Sequence, residues 1–405
     1  MGSDDALIES PIRRPTERPR DVTESSTTTE TILTNARIVT ADEVVQGTLV
    51  FRNGKIVDIS GGNTRAGDDM EGDYVIPGLV ELHTDHLEGH YAPRPKVRWN
   101  PIASVLAHDA QVATAGITTV FDALRVGMDY DADLTMQDMR KLADAIEDSV
   151  RKDRVRADHF IHLRCEVSAP DCLEAFALFD GDDRVRLASL MDHAPGQRQF
   201  ASFDAYAVYY MGKMKMSEQQ FRDYCGTRIE QSQQNSAPNR IAVSNTCRAR
   251  GIVLASHDDA TVDHVAEAVE QGIRVAEFPT TAEAAAASKQ AGLGVLMGAP
   301  NVMRGASHSG NVSARQLAAD GLLDILSSDY IPFSLIQAAF FIGEAVDGIS
   351  LPQAVAMVSK NPAEAVSLDD RGVIEPGRRA DLVRVRVDDH VPVVRTVWRE
   401  GRRVA

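Results

Sequence analysis

Short apolar runs alternate along the chain with segments whose apolar residues recur at helical spacing. Eight of these runs are candidate strands, and in chain order they are ELHTDH, ITTVFDAL, HFIHLRCEV, VRLASLMDH, IVLASHDD, IRVAEFP, GVLMGAP and LDILSSDY. Segments between them, such as LTMQDMRKLADAIEDSV and TVDHVAEAVEQG, have the spacing of amphipathic helices. Because buried parallel strands are nearly continuous apolar runs, eight strand-helix repeats predict an α/β fold, a (β/α)₈ TIM-like barrel.

Both ends of the chain have a different pattern, in which apolar and polar residues alternate as in exposed strands. TILTNARIVT and GTLVFRNGKIVDIS show it near the start, with Asn53-Gly54 at the position of a tight hairpin turn. RADLVRVRVDDH and VRTVWREGRRV show it near the end, with a second turn at Glu400-Gly401. We expect one small β-sandwich domain from both ends, and the predicted division is residues 30–74 and 367–405 for this domain and 75–366 for the barrel.

The first segment of the chain and its overall composition restrict the class of protein. Residues 1–29 carry too little apolar surface to offset chain entropy and are predicted to be disordered. No run reaches the roughly 20 apolar residues that span a bilayer, and the apolar core of a signal peptide is lacking. The cysteines Cys165, Cys172, Cys225 and Cys247 have no CxxC spacing, which favours free thiols and a cytoplasmic enzyme.

The charge of the chain limits its partners. A formal net charge of -16 repels nucleic acid and anionic membranes, so neither is expected as a partner. A small-molecule substrate is expected instead, and an anionic one must be bound by a local group of cations. A homodimer is the expected assembly for an enzyme of this size.

Six side chains able to bind metal ions end five of the predicted strands. In a parallel barrel these ends meet at one mouth, where catalytic residues gather. A single histidine at a strand end is most often just hydrogen-bonded, but six such groups at one mouth indicate a metal site. Imidazoles with carboxylates suit zinc, manganese or iron, and a carboxylate can bridge two ions. We expect two divalent ions, zinc first with manganese or iron as alternatives, bound by His83, Asp85, Glu166, His193, His257 and Asp329.

Two of these residues have more specific predicted roles. Glu166 is the best candidate for a carboxylate that bridges the ions. A metal-bound water loses a proton near neutral pH and becomes a nucleophile. Asp329 is the candidate catalytic residue, because a carboxylate at this position can pass that proton to the leaving group.

The motif VIPGLVELHTDH, preceded by NGKIVDI and followed by GVIEPGRRADLV, resembles the amidohydrolase superfamily over residues 31–404. The resemblance implies a metal-dependent hydrolase on a barrel. The superfamily commonly takes its later two histidines from the fifth and sixth strands, whereas our strand count places His193 on the fourth and His257 on the fifth. Either the late strands are overcounted or the fourth strand is used.

A narrower resemblance rests on five motifs: HTDHLEGHYAPRPKVRWNP, DHAPGQRQF, ASHDDAT, EFPTT and GAPNVMRGASHSGNVSA. Together they resemble the family of α-D-ribose 1-methylphosphonate 5-triphosphate diphosphatases of the carbon-phosphorus lyase pathway. The resemblance implies a phosphoanhydride hydrolase that releases pyrophosphate from this phosphorylated sugar during phosphonate catabolism.

A triphosphate needs cations besides the metals, and several polar residues are placed to supply contacts. The loop after the first metal motif carries three basic residues, Arg94, Lys96 and Arg98. They are placed either to contact the terminal phosphates or to face solvent. Lys213, with Lys215, lies in the long insertion after the fourth strand, as part of a lid or as a surface lysine. The predicted substrate contacts are Arg94, Lys96, Arg98, Lys213, Arg304, His308 and Asn311. Asp258, Asp259 and Glu277 are placed either to orient ligand histidines or to form ion pairs.

Two other functions are compatible with parts of this pattern. A hydrolase or deaminase of cyclic amides, N-acyl groups or amino-heterocycles would use the same metals without a triphosphate clamp. A barrel that has lost catalysis would lack metal ligands, and all six are present.

Overall fold

The computed structural model describes residues 30–127, 134–198, 206–207, 211, 217–305 and 310–405. The strands within these ranges are β1 (Glu30–Val39), β2 (Val44–Arg52), β3 (Lys55–Gly61), β4 (Asp68–Asp69), β5 (Tyr74–Pro77), β6 (Leu79–Thr84), β7 (Ile117–Val126), β8 (Asp158–Glu166), β9 (Val185–Met191), β10 (Val253–His257), β11 (Val275–Glu277), β12 (Gly294–Gly298), β13 (Ile325–Ser327), β14 (Leu382–Asp388), β15 (Val391–Arg399) and β16 (Arg402–Arg403).

Helices follow or connect most of these strands. Those of the described ranges are α1 (His86–Tyr91), α2 (Pro101–Thr114), α3 (Met136–Arg151), α4 (Cys172–Ala177), α5 (Glu218–Arg250), α6 (Val262–Glu270), α7 (Ala282–Gln290), α8 (Ala299–Arg304), α9 (Ala314–Ala319), α10 (Ser334–Ala345), α11 (Leu351–Ala356) and α12 (Lys360–Ala365).

The predicted barrel is confirmed, and each of the eight apolar runs forms one of its strands. Within the described residues, β6 to β13 make a parallel sheet in chain order. A parallel bridge between Thr84 and Asp329 joins its first and last strands. The strand count is therefore right, and the residue that follows the fourth barrel strand is Asp192, directly before His193.

One apolar cluster fills the barrel interior, because alternate side chains of each strand point inward. Phe121 of β7, Leu187 of β9 and Leu296 of β12 belong to it, and Phe160 of β8 packs against it. Their neighbours along the strands, such as Asp122 and His159, therefore face the surrounding helices. This alternation separates two polar networks, one inside the barrel and one outside it.

The second predicted domain is confirmed as a sheet built from both chain ends. Its strand order is β16-β15-β14-β5-β1-β2-β3, with β4 beside β1. Both predicted hairpin turns form, since Asn53 and Gly54 have φ of 51° and 78°, and Glu400 and Gly401 have φ of 52° and 73°. The division at residues 74/75 and 366/367 stays a proposal, and β5 at Tyr74–Pro77 extends the terminal sheet across the first of these points.

Four free, buried cysteines are present, all within the described ranges. Among the described helices, none has the length and apolar character needed to cross a membrane.

Candidate active site

The carboxyl ends of the barrel strands gather buried ionisable side chains at one mouth. Glu277, the last residue of β11, lies between two histidines and is completely buried. His83 Nδ1 lies 3.2 Å from its Oε1, and His257 Nδ1 lies 3.2 Å from its Oε2. Burial would raise the pKa of Glu277, but the charges of His83 and His162 and the histidine hydrogen bonds hold that pKa well below its usual range. The carboxylate thus fixes the orientation of both imidazole rings through their Nδ1 atoms, and their Nε2 atoms take no part in this contact.

A second histidine-carboxylate pair lies beside the first. His193 Nδ1 is 2.6 Å from Glu166 Oε2, and the His193 backbone N–H donates to Glu166 Oε1 at 3.1 Å. Burial opposes charging of this histidine, but the Glu166 carboxylate outweighs it and raises the pKa of His193 to about 9. The fourth barrel strand is therefore used in the mouth.

Asp258 joins the two pairs. Its Oδ2 lies 3.7 Å from His193 Nε2 and 3.6 Å from His257 Nε2. This oxygen is buried and has no hydrogen-bond partner among the described residues. Two ligands of one tetrahedral zinc ion lie roughly 3.4 Å apart, given metal-ligand bonds of about 2.0–2.1 Å. The three side chains therefore fit a divalent cation.

Strained backbone marks three strand ends at this mouth. Asp258, Phe278 and Asp329 follow β10, β11 and β13 with φ of 57°, 54° and 54°. Left-handed conformations are costly for a residue such as phenylalanine and persist where the surroundings enforce them, commonly at functional sites. The Phe278 ring packs edge-on against His83 and His257, at centroid distances of 5.0 and 5.3 Å.

Asp329 and Asp85 share the side of the mouth closed by the Thr84–Asp329 bridge. The Asp329 N–H donates to His83 O at 3.2 Å, and Arg164 Nη1 lies 3.2 Å from Asp85 Oδ2. Burial and then the Asp85 charge raise the pKa of Asp329, although His83 and Arg164 oppose the shift. A carboxyl group with a raised pKa is suited to accept and release a proton.

The predicted substrate residues are less closely grouped. Arg94, Lys96 and Arg304 are exposed, and Arg98 is partly buried 3.6 Å from Asp138. Asn311 is partly buried just before α9. Lys213 and His308 lie outside the described residues, as does Lys215.

Sequence reasoning missed arginines that lie near the mouth. Arg164 comes from β8, and its buried Nε has no hydrogen-bond partner among the described residues. Arg228 of α5 is almost fully buried with Nη2 3.5 Å from Glu166 Oε1. An arginine within an apolar barrel strand, as in HFIHLRCEV, was the available signal for Arg164. Of the three carboxylates left open, Glu277 contacts histidines, and Asp259 forms an ion pair with Arg198.

Comparison with known proteins places this mouth in a family. Residues 111–405 match the sequence profile described as "Amidohydrolase family". The chain belongs to the amidohydrolase family. This agrees with a barrel whose strand ends carry histidines and carboxylates at one mouth.

One similar protein is the alpha-D-ribose 1-methylphosphonate 5-triphosphate diphosphatase of Escherichia coli K12. It is 47% identical over 377 residues, which cover 92% of this chain and 100% of that protein. An allantoinase of Streptomyces avermitilis is 22% identical over 394 residues, covering 89% of this chain and 87% of that protein. Among solved structures, an N-acetylglucosamine-6-phosphate deacetylase from Pasteurella multocida shares the fold at a TM-score of 0.57 and 13% identity, covering 93% and 99% of the two chains.

Proposed function

We propose that this amidohydrolase hydrolyses α-D-ribose 1-methylphosphonate 5-triphosphate to pyrophosphate and the corresponding 5-phosphate, in phosphonate catabolism. The observation that carries the proposal is the 47% identity along the complete length of the Escherichia coli diphosphatase. The overall net charge of -16 makes a local cationic site necessary for such a substrate.

We assign the metal-binding role to the mouth residues. His83, Asp85, Glu166, His193, His257 and Asp329 would hold two divalent ions, zinc first with manganese or iron as alternatives, and Asp258 adds a further oxygen between His193 and His257. When bound, such ions lower the pKa of water and neutralise phosphate charge. Glu277 would act on His83 and His257 by fixing the rings, with each Nδ1–H donating to one of its oxygens.

The proposed reaction breaks the anhydride bond between the α- and β-phosphates. The oxygen of a water molecule bonds to the α-phosphorus. The bond from this phosphorus to the bridging oxygen breaks, and pyrophosphate leaves with that electron pair. Asp329 accepts the proton of the attacking water and returns it to the leaving phosphate. The raised pKa of Asp329, caused by burial and by the Asp85 charge, supports this proton-transfer role.

Arg164 is the best-placed cation for a phosphate. Its Nη1 pairs with Asp85, while its buried Nε lacks a partner among the described residues. A planar guanidinium with an unused N–H suits a phosphate oxygen. Exposed Arg94 and Lys96 would contact the outer phosphates, and Arg98, Lys213, Arg304, His308 and Asn311 remain proposed contacts.

The test is phosphorus NMR of metal-loaded protein incubated with the triphosphate. Pyrophosphate together with the 5-phosphate is the expected product pair. Release of orthophosphate in place of pyrophosphate would contradict the bond assignment, and unchanged substrate would contradict the proposed activity.

Hydrolysis of a cyclic amide or related substrate is the competing activity. Replacing Arg94, Lys96 and Arg98 with Gln removes three positive charges from the loop after α1. We expect KM for the triphosphate to rise in this variant with kcat little changed. Hydrolysis of allantoin or another cyclic amide, unaffected by the substitutions and faster than that of the triphosphate, would favour the competing activity.

Assembly and location are proposals as well. We propose a homodimer, which light scattering of the purified protein over a range of concentrations tests directly. A cytoplasmic location fits the four free cysteines, and fractionation of the producing cell tests it.

A further inference from the structure

A second group of histidines lies outside the barrel, between the first two helices. His86 and His90 come from α1, and His108 comes from α2. One ligand nitrogen of each lies within 4.8 Å of the others. The ring centroids are 4.9 Å apart for His86 and His90, and 5.9 and 6.2 Å from that of His108. We call this group the helix-side histidine cluster.

His108 of this cluster lies on the outer side of β7, away from the barrel interior. His108 contacts Asp122 of β7, and Asp122 alternates with Phe121, which points into the barrel interior. The helix-side histidine cluster therefore lies in the layer between β7 and the helices. The mouth histidines lie on the inner side of the strands, around Glu277.

The hydrogen bonds around His108 determine which of its two ring nitrogens can bind a metal ion. Asp122 lies between two histidines, with His108 Nε2 2.8 Å from one oxygen and His159 Nδ1 2.7 Å from the other. His159 Nε2 in turn reaches Asp109 at 3.3 Å. His108 therefore donates its Nε2–H to Asp122, and the lone pair is on Nδ1. This Nδ1 is buried without a partner among the described residues, in a side chain with 0% exposure.

The other two histidines are arranged as a metal-binding pair. His86 and His90 are four residues apart, so they share one face of the helix. His86 Nδ1 is also buried without a partner in the described part of the chain. His90 Nε2 lies 3.3 Å from Gln111 Oε1, an acceptor on α2 that orients this ring. A carboxylate or amide that orients a ligand imidazole is typical of the surroundings of metal sites.

We propose that His86, His90 and His108 bind one transition-metal ion in addition to those at the barrel mouth. Three imidazole nitrogens favour zinc, cobalt, nickel or copper over magnesium and calcium, which prefer oxygen. Tetrahedral zinc places its ligand nitrogens roughly 3.4 Å apart, so small side-chain rotations bring the three together around the ion.

The ion would fix a short helix next to the mouth. α1 has six residues, too few for stability without tertiary contacts. It begins directly after Asp85 and leads into the loop that carries Arg94 and Lys96. A metal bond from α1 to the longer α2 holds the start of this loop in place.

The test is a count of zinc ions bound by the full chain, by equilibrium dialysis and elemental analysis. The double variant His86→Ala/His90→Ala changes two partly buried residues of a short helix and leaves the buried His108–Asp122 contact intact. His390→Ala is the control, because His390 is an exposed histidine paired with Glu344. We expect the double variant to bind one zinc ion fewer than wild type and the control to bind the same number. Equal zinc content in all three would overturn the proposal.

A second measurement does not depend on the folding of any variant. Crystals of the wild-type protein soaked with zinc are examined by anomalous diffraction at the zinc edge. A peak between the three imidazoles supports the site, and its absence in crystals with zinc at the mouth overturns it. Neither measurement uses hydrolysis, so the outcome is independent of the proposed diphosphatase activity.

Discussion

Two buried polar networks lie on opposite sides of the same barrel strands, and they differ in how completely they are hydrogen-bonded. Outside, His159 lies between Asp109 and Asp122, and all side-chain nitrogens and oxygens of these three have partners. Inside, Asp258 Oδ2 and Arg164 Nε are buried without partners among the described residues. Because an unpaired buried polar group is costly, it indicates a site shaped for a ligand.

This difference in hydrogen bonding indicates that the two networks have different roles, one in stability and one in function. The fully hydrogen-bonded group of Asp109, His159 and Asp122 stabilises the fold around β7 and β8, whereas the inner network has unpaired groups that suit a cation and a phosphate. Substitutions in the inner network should therefore affect turnover or metal binding at the mouth, whereas substitutions of Asp109, Asp122 or His159 should affect the free energy of unfolding.

The largest expected effect is on catalysis at the inner network. Asp329→Asn removes the group that accepts the proton, so kcat for pyrophosphate release should fall by roughly 10²–10⁴-fold. Asp320→Asn is the matched control, because Asp320 is exposed at the end of α9. Full activity of the Asp329→Asn variant in a steady-state assay would remove Asp329 from the mechanism.

The next largest expected effect is a loss of stability on substitution of His159 in the outer network. His159→Gln leaves buried Asp122 without its cation and leaves Asp109 paired with Arg156 alone, so the free energy of unfolding should fall by roughly 3–5 kcal/mol in urea titrations at pH 7. His390→Gln should have little effect, since this histidine is exposed.

The effect of His159→Gln on the free energy of unfolding should depend on pH. Burial opposes charging of His159, but the Asp122 and Asp109 contacts outweigh it and raise its pKa to about 10, against about 6.5 in the unfolded chain. Its stabilisation is complete below about pH 6.5 and is lost as the pH rises through 10. The stability difference between wild type and His159→Gln should therefore shrink across this window. A difference that stays constant up to and beyond the folded-state pKa would show that His159 is neutral in the folded protein.

A smaller effect tests the orientation of the metal ligands. Glu277→Gln leaves one of His83 and His257 without a carboxylate acceptor, so metal affinity should fall by roughly 10–100-fold in competition with a chelator. Glu283→Gln, in the exposed first turn of α7, is the control. Unchanged affinity would mean that Glu277 has no part in holding the metal.

The smallest effect concerns the phosphate contact. Arg164→Met should raise KM for the triphosphate by roughly tenfold, the size of one hydrogen bond to a charged group. Arg164→Lys should recover part of the loss, whereas the control Arg65→Met, at an exposed position, should leave KM unchanged. If KM of the Arg164→Met variant equals that of wild type, the substrate phosphates bind elsewhere.

Repetition made the fold predictable. Each barrel strand is a separate apolar run between helices, so the eight strands and their order followed from pattern alone. The two hairpin turns were predictable because Asn-Gly and Glu-Gly supply the left-handed residues that the turns contain. The extent of the terminal sheet was not, since β5 is a short apolar run continuous with the barrel's first strand.

The candidate site was predictable where a ligand type coincided with a strand end, as for His83 and Glu166. It was not predictable which carboxylate would meet which histidine. Glu277 contacts two rings from strands far apart in sequence, and Asp258 contacts His193 because a left-handed turn directs its side chain into the mouth. The helix-side histidine cluster was missed because its members come from two separate helices, α1 and α2, and the sequence pattern does not show that these helices bring His86, His90 and His108 together.

The most direct test of the account is dependence of pyrophosphate release on metal. The protein is depleted with a chelator, dialysed, and titrated with zinc, manganese or iron while pyrophosphate release from the ribose triphosphate is measured. The account predicts no release without metal and recovery in proportion to the ions bound at the mouth, with little recovery in the Glu277→Gln variant at limiting metal. Full release by metal-free protein would contradict it.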